Sequence, residues 1–175
     1  MFAAAGSPLL ATLSVAAVAI VHLLSIKAPL KEALLLLAAA VIGLGCESFM
    51  VWTGLVQYPG YESAALAPYW IVSMWVLFAT TINHGLRWTK QNLGVAALAG
   101  LLGGPLAFFG GMNLGAVEFS HTAAALVMIG LGWALLLPVL TVIADTIIDS
   151  TWLEPRAERR EENQRTKLSH LELGY

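Results

Sequence analysis

Four ionisable side chains lie within otherwise apolar stretches of this sequence: His22, Glu47, His84 and Asp145. Imidazoles titrate near neutral pH, and a carboxylate beside an imidazole fixes its tautomer and raises its basicity. These residue types can therefore carry acid/base chemistry, and we take all four as candidate catalytic residues. The alternative is a buried polar network that orients helices and traps water, because no spacing among the four identifies a reaction.

The spacing of polar residues predicts which of these side chains can meet. In the third apolar stretch they follow steps of 7, 4 and 3 residues, which places them on one face of a helix: Ser73, Thr80, His84 and Arg87. The corresponding face of the fifth stretch carries Pro138, Thr141, Asp145 and Asp149. His22 and Ser25 share a face of the first stretch. We therefore expect one polar cluster on facing helices, formed by His22, His84, Arg87 and Asp145.

Four residues in or near this cluster are candidate binding residues: Asn83, Arg87, Trp88 and Asp149. Arg87 could hold a phosphate or carboxylate group, because its guanidinium donates two parallel hydrogen bonds. Two of the four also have simpler interpretations. Arg87 could be an interfacial cation that extends its charge to water, and Asp149 could be a carboxylate at a helix end.

Glu47 lies deep in the second apolar stretch, about 13 Å from its outer end at about 1.5 Å per residue. Gly43 and Gly54 flank it on the same face and predict that a neighbouring helix or a ligand packs closely there. No Lys or Arg is expected at this depth, so an ionised Glu47 needs another partner. Protonation, a histidine, water or a bound ligand are the options. Glu47 is then either a proton carrier or a structural hydrogen-bonding group.

Metal and cofactor sites have little support in the sequence. The Glu-x-x-His spacing of Glu118 and His121 occurs in carboxylate-bridged metal sites, but such sites need matching ligands on other helices. Ser120 more simply caps the fifth helix, with Glu118 favouring its N-terminal dipole. Cys46 is the only cysteine, which excludes an intrachain disulfide and a cysteine-based metal site. We assign no metal site, and any cofactor is unknown.

The elements that must position these residues are membrane-spanning helices. The 175 residues are 58% hydrophobic and only 11% charged, with a mean hydropathy of +0.77, which is well outside the range of soluble domains. Five continuous apolar runs, too long for barrel strands, predict helices over residues 8–26, 33–56, 69–86, 93–115 and 121–148. The predicted fold is all-α: a polytopic five-transmembrane-helix bundle over residues 1–152, followed by a polar cytosolic tail over residues 153–175.

The basic residues predict the orientation of this bundle. All nine Lys and Arg residues fall between the first and second runs, between the third and fourth runs, or after the fifth run. Because basic residues concentrate on the cytosolic side, these segments are inside, the N-terminus is outside and the C-terminus is inside. Residues 57–68 and 116–120 are then external.

The fourth run is rich in glycine around Pro105 and contains small-xxx-small spacings. Such spacings predict close packing between helices. The alternative is that an irregular helix beside Phe108 and Phe109 lines an apolar pocket.

Three segments carry a resemblance to a known family: residues 81–88 (TINHGLRW), 103–111 (GGPLAFFGG) and 114–117 (LGAV). With them the chain resembles an uncharacterised bacterial inner-membrane family, domain of unknown function 2878, over nearly its whole length. The resemblance implies a multi-pass protein of the bacterial inner (cytoplasmic) membrane. Members are often encoded near cyclopropane-synthase-like methyltransferases and other lipid-modifying enzymes, which implies a link to lipid metabolism. The resemblance supplies no catalytic residues.

These features favour a membrane-embedded enzyme or binding protein that acts on an apolar lipid of the fatty acyl or isoprenoid type. The lipid would enter between helices, and its polar end would meet the acid/base cluster at cytosolic depth. The alternatives are a small proton-coupled transporter, in which Glu47 and the histidines form a relay, and a non-enzymatic structural subunit of a membrane complex. We expect membrane lipids and an apolar lipid ligand as partners, and no nucleic acid. The sequence also permits a homo-oligomer, in which the partner is a second copy of the chain.

Overall fold

The computed structural model describes residues 7–148 as a helical protein. Its helices are α1 (Pro8–Ser25), α2 (Pro29–Trp52), α3 (Tyr69–Ile82), α4 (Leu93–Asn113) and α5 (Thr122–Ile148). Two short strands, β1 (Val56–Gln57) and β2 (Glu118–Phe119), and a 3-10 helix, Arg87–Gln91, lie between them. The chain is mostly helical, as predicted, and the two short strands are an addition to the predicted all-α fold. The predicted tail and Asp149 lie outside the described residues.

Four helices, α1, α2, α4 and α5, are long and apolar enough to cross a membrane. Their outer faces are apolar as well: Leu24, Leu106 and Leu135 are each at least 70% exposed. A soluble protein rarely exposes so much contiguous apolar surface, whereas a bilayer solvates it. The chain is therefore a multi-pass membrane protein.

Helix α3 is shorter than predicted. It has 14 residues, about 21 Å at about 1.5 Å per residue, and ends at Ile82 rather than at residue 86. The carbonyl of Thr81 accepts hydrogen bonds from the backbone N–H groups of both His84 and Leu86, which closes the helix into a turn. Asn83 and Gly85 are poor helix formers and favour this end. The predicted polar stripe therefore does not continue along α3 to His84 and Arg87.

Helix α2 is displaced from its predicted position at both ends. It begins at Pro29, before the predicted residue 33, because a proline suits the first helical position, where its missing N–H has no partner to lose. It ends at Trp52, before the predicted residue 56, and Gly54 follows in the left-handed conformation with φ +72°. Gly54 is thus a turn residue and not a packing residue on the face of Glu47.

The helices pack in the order α4, α5, α2, α3, α1, with α4 against α5 and α3 between α1 and α2. One core cluster, in α2, α3 and α5, includes Leu35, Trp75 and Leu140. The second cluster joins the ends of these helices to the strands and includes Tyr58 and Trp70. Trp70, near the start of α3, is buried in this cluster.

The glycines of α4 allow its close contact with α5. A Cβ added to Gly104 would come within 2.5 Å of Trp133 Cδ1, and one added to Gly100 would overlap the backbone of Trp133. From the other side, a Cβ on Gly130 would meet the Leu101 carbonyl and Pro105 at 3.1 Å. The prediction of close helix packing is confirmed for these positions.

One end of the bundle contains the two strands, and the other contains basic turns. At the first, which we call the ribbon end, β1 and β2 form an antiparallel pair in which Val56 faces Phe119. The Ser120 hydroxyl donates there to the Gly54 carbonyl at 2.6 Å. Ser120 thus ties two loops together and does not cap α5 as predicted. The basic end contains the turns at residues 26–28 and 83–92, which carry Lys27, Arg87 and Lys90.

Candidate functional site

Glu47 is buried inside the bundle, where two neutral side chains hold its carboxyl group. The Tyr58 hydroxyl donates to Glu47 Oε2 at 2.7 Å, and the Trp75 indole Nε1–H donates to Glu47 Oε1 at 2.9 Å. Glu47 is only 2% exposed, Tyr58 2% and Trp75 3%. A buried carboxyl group without a cation needs several hydrogen-bond donors, and this pair supplies one to each oxygen.

Helix packing positions Trp75 for this contact. Gly43, one turn before Glu47 on α2, lies directly against the indole: an added Cβ would come within 2.6 Å of Trp75 Cδ2. The indole also stacks on Trp133 of α5, with ring centroids 4.8 Å apart. The predicted narrow face beside Glu47 is confirmed at Gly43, and the group that occupies it is Trp75.

The ribbon end positions Tyr58. Tyr58 follows β1 directly, so the loop after α2 folds back into the bundle and its ring packs edge-on against Trp70, with centroids 5.4 Å apart. Burial, followed by the nearby Glu47 carboxyl, raises the pKa of Tyr58 well above its usual range. The Tyr58 hydroxyl therefore keeps its proton near neutral pH and acts as a donor. Glu47 lies closer to its helix end than predicted, but the returning loop covers it.

An apolar cavity of about 490 Å³ borders this carboxyl group. Aromatic and small side chains of α3, α4 and α5 form most of its wall, among them Phe78, Phe108, Gly110, Gly111 and Trp133. The cavity is partly open, because Leu106, Ala107 and Leu114 at its rim are exposed on the bundle surface. The glycine-rich helix α4 therefore packs closely on α5 and also lines an apolar pocket, so the two predicted alternatives occur together.

The Glu47 carboxyl group and the apolar wall of the cavity suit a ligand with an apolar chain and a hydrogen-bond donor at one end. Each carboxylate oxygen of Glu47 accepts one bond from the protein and has a second acceptor position. None of the lining residues that the structure describes is Lys, Arg or His. The site can thus receive an apolar chain whose polar end donates a hydrogen bond, and it offers no cation to an anionic end.

A second polar group lies at the basic end. His22 and His84 meet edge to face with ring centroids 5.3 Å apart, and His22 Nε2 lies 3.7 Å from Glu32 Oε2. Asn83 Nδ2 donates to Glu32 Oε1 at 2.7 Å. The structure thus brings together three of the predicted site residues, His22, His84 and Asn83. It adds Glu32, which was not among the predicted site residues.

The structure changes the composition of the predicted cluster. Asp145 pairs with Lys90, with Nζ and Oδ1 2.6 Å apart, and does not belong to the group formed by His22, Glu32 and His84. The reason is that the 3-10 helix after α3 presents Lys90 to α5. Arg87 and Trp88 are exposed on the same 3-10 helix. The hydroxyls of the predicted stripes bond to their own helices: Ser73, Thr80 and Thr141 donate to Trp70, Leu77 and Leu137 carbonyls.

Three residues were missed as members of these sites: Tyr58, Trp75 and Glu32. Tyr58 falls in the segment that was predicted to be external and Trp75 in the third apolar run, and no local pattern links either residue to Glu47. Glu32 had a usable signal. A proline at the helix start and a carboxylate in its first turn are typical of a helix N-terminus, and together they place Glu32 on α2 rather than in a loop.

Comparison with known proteins agrees with the resemblance found in the sequence. The profile of a family described as "Protein of unknown function (DUF2878)" matches residues 1–139. No curated protein and no solved structure matches the chain.

Proposed function

The chain belongs to the DUF2878 family of proteins of unknown function, and we propose that it binds an apolar lipid in the cavity beside Glu47. The observation that carries the proposal is the combination of an apolar, partly open cavity of about 490 Å³ with one buried carboxyl group held by Tyr58 and Trp75. Ligand pockets are typically apolar concavities of about 300–1,000 Å³ in which a few fixed polar groups orient the ligand.

The chemistry of the wall narrows the ligand class. An acyl or isoprenoid chain would lie against Phe78, Phe108 and Trp133, and its polar end would donate to Glu47. A hydroxyl or amide end fits this acceptor. A carboxylate or phosphate end would lie beside Glu47 without a compensating cation, which is unfavourable at low dielectric constant. A neutral long-chain or isoprenoid alcohol is therefore the ligand class we propose, and no catalytic step is assigned to it.

A proton relay between Glu47 and the histidines has less support. Glu32, the acidic partner of His22, precedes Glu47 by 15 residues (47 − 32) on the same helix, which is about 22 Å at about 1.5 Å per residue. The two polar groups therefore occupy opposite ends of the bundle. Lipid binding needs only the ribbon-end group and its cavity.

For the membrane we propose five spans, with the ribbon end outside, the basic end in the cytosol and the bacterial inner membrane as location. The basic turns support this orientation, since Lys27, Arg87 and Lys90 all lie at one end. Helix α3 would cross together with the turn that follows it, because its own length is below the roughly 30 Å of a hydrocarbon core. The lipid would then reach the cavity from the outer half of the bilayer.

Single cysteines test this topology. In a Cys46→Ala background, Ser63→Cys and Gln91→Cys each place a thiol at an exposed position, one in the ribbon-end loop and one at the basic end. A membrane-impermeant maleimide is expected to label Ser63→Cys in intact cells and Gln91→Cys only after permeabilisation. Labelling of both in intact cells would contradict the five-span orientation.

A cavity-filling variant tests lipid binding. Gly110 lines the cavity and has no atom within 4 Å of an added Cβ, so Gly110→Leu should fill the site without distorting the helix. Obstruction that costs the ligand about 1–3 kcal/mol should weaken binding about 5- to 150-fold. The measurement is photocrosslinking of the purified protein with a diazirine-bearing hexadecanol, with the matching diazirine-bearing fatty acid compared at neutral pH.

Gly103→Leu is the matched control for this experiment. Gly103 is on the same helix, is equally open at its Cβ position and does not line the cavity. We expect it to crosslink like the wild type, and we expect the alcohol to label more strongly than the fatty acid anion. Equal labelling of the Gly110→Leu and Gly103→Leu variants would refute binding in this cavity.

A further inference from the structure

We propose that the basic end holds a divalent transition-metal ion on His22, Glu32 and His84. The proposal is independent of lipid binding in the cavity, because it concerns the opposite end of the bundle. Three elements supply the ligands: the last turn of α1, the first turn of α2 and the turn after α3. Their ligand atoms all lie within 4.8 Å of one another.

The unsatisfied polar atoms of this group point to a missing ligand. Within residues 7–148, His22 Nε2, Glu32 Oε2 and Asn83 Oδ1 are buried and have no hydrogen-bond partner. The Glu32 side chain is only 9% exposed, and its separation of 3.7 Å from His22 Nε2 is too long for a hydrogen bond. Leaving such atoms unpaired costs about 1–3 kcal/mol each. A cation between His22 and Glu32 would satisfy both of these atoms at once.

The donor set selects the class of metal. Two imidazoles and one carboxylate form the ligand set of catalytic zinc sites and of non-haem iron sites, in which further positions stay open for water or substrate. Two ligands of one such ion lie at most about 4.2 Å apart, twice a bond of about 2.1 Å. Binding must therefore draw the three side chains together. The exposed His84, in a turn rather than a helix, is free to make that movement.

The surroundings give the ion both support and access. Asn83 donates to Glu32 Oε1 and so fixes the carboxylate with Oε2 towards His22. Such partners of metal ligands orient them and strengthen binding. An open pocket of about 420 Å³, lined in part by Ser25, Glu32, Asn83 and His84, leads to the group from the surface. A metal-bound water or small ligand has room there.

Zinc titration of the full-length protein tests the site. Protein purified in detergent is treated with a chelator, desalted and titrated with Zn²⁺ by calorimetry, and its metal content is measured by mass spectrometry. We expect one ion per chain and an increase in thermal stability on binding. His84→Ala and Glu32→Gln should each weaken this binding at least about tenfold, because each removes one of three protein ligands.

The variants of this experiment should fold, and a control variant is at hand for the zinc titration. His84 is exposed, and Gln at position 32 can still accept from Asn83, so both variants should fold, as checked by circular dichroism and gel filtration. His121→Ala is the control variant and should bind Zn²⁺ like the wild type, because His121 follows Ser120 at the opposite end of the bundle. Absence of stoichiometric binding by the wild type, or equal affinities for the wild type, His84→Ala and Glu32→Gln, would overturn the proposal.

Discussion

Gly100→Ala is expected to destabilise the folded protein by about 1–3 kcal/mol or more, although alanine is the better helix former. The new Cβ would overlap the Trp133 carbonyl oxygen and lie 2.7 Å from the Trp133 carbonyl carbon. These are backbone atoms, so the overlap cannot be relieved by a side-chain rotation, and α4 must move away from α5. Thermal unfolding in detergent, followed by circular dichroism, measures the loss.

Gly103→Ala is the control for this prediction, because the same substitution on the same helix meets no atom within 4 Å. Helix propensity alone then acts, and the variant should be as stable as the wild type or more stable by up to about 1 kcal/mol. The two variants should thus differ by at least about 1 kcal/mol and by as much as about 4 kcal/mol. Equal melting temperatures would mean that α4 and α5 do not pack as described.

Glu47→Ala is expected to cause the second large loss. It leaves the Tyr58 hydroxyl and the Trp75 indole N–H buried without their acceptor, at about 1–3 kcal/mol for each donor. Glu47→Gln should retain most of the stability, because the amide oxygen can accept from Trp75 and the amide nitrogen can donate to the Tyr58 oxygen. Thermal unfolding of the three proteins in the same detergent measures the difference.

Binding and activity measurements on Glu47→Gln distinguish a structural role of Glu47 from a role in proton transfer. If Glu47 is a structural acceptor, Glu47→Gln should still bind the hexadecanol probe. If it transfers protons, the same variant should be folded yet inactive in a lipid-turnover or transport assay. Tyr58→Phe is the control for the hydrogen bond, since it removes one donor to Glu47 and leaves the ring against Trp70. An alanine variant as stable as the glutamine variant would show that the two bonds contribute nothing.

The sequence predicted the helices well, because continuous apolar runs and helical periodicity are local signals. It predicted their ends less well. The charged pair Lys31 and Glu32 looked like a loop, although Pro29 begins a helix that contains both. Thr81 to Leu86 looked helical, although the Thr81 carbonyl closes the helix there. Helix ends depend on a few hydrogen bonds, and such bonds do not show in hydropathy.

The sites were predictable only where one helix carried the signal. Glu47 was selected because its depth alone makes it exceptional. Its partners were not, because Tyr58 reaches it through a turn that reverses the chain and Trp75 reaches it from another helix. Likewise His22 and His84 were expected to meet, but the choice between Asp145 and Glu32 as their acidic neighbour depended on how the helices are arranged, which periodicity does not specify.

The packing order of the helices has a consequence for synthesis. Among the residues that the structure describes, α1 buries one side chain, Val15, and its main neighbour is α3 rather than α2. Because α3 follows α2 in the chain, α3 has not yet been synthesised when α1 and α2 are complete. Until α3 has been synthesised, α1 has only its smaller contact with α2, and His22 lacks its contact with His84. Assembly of the basic end is therefore a late event that follows the order of translation.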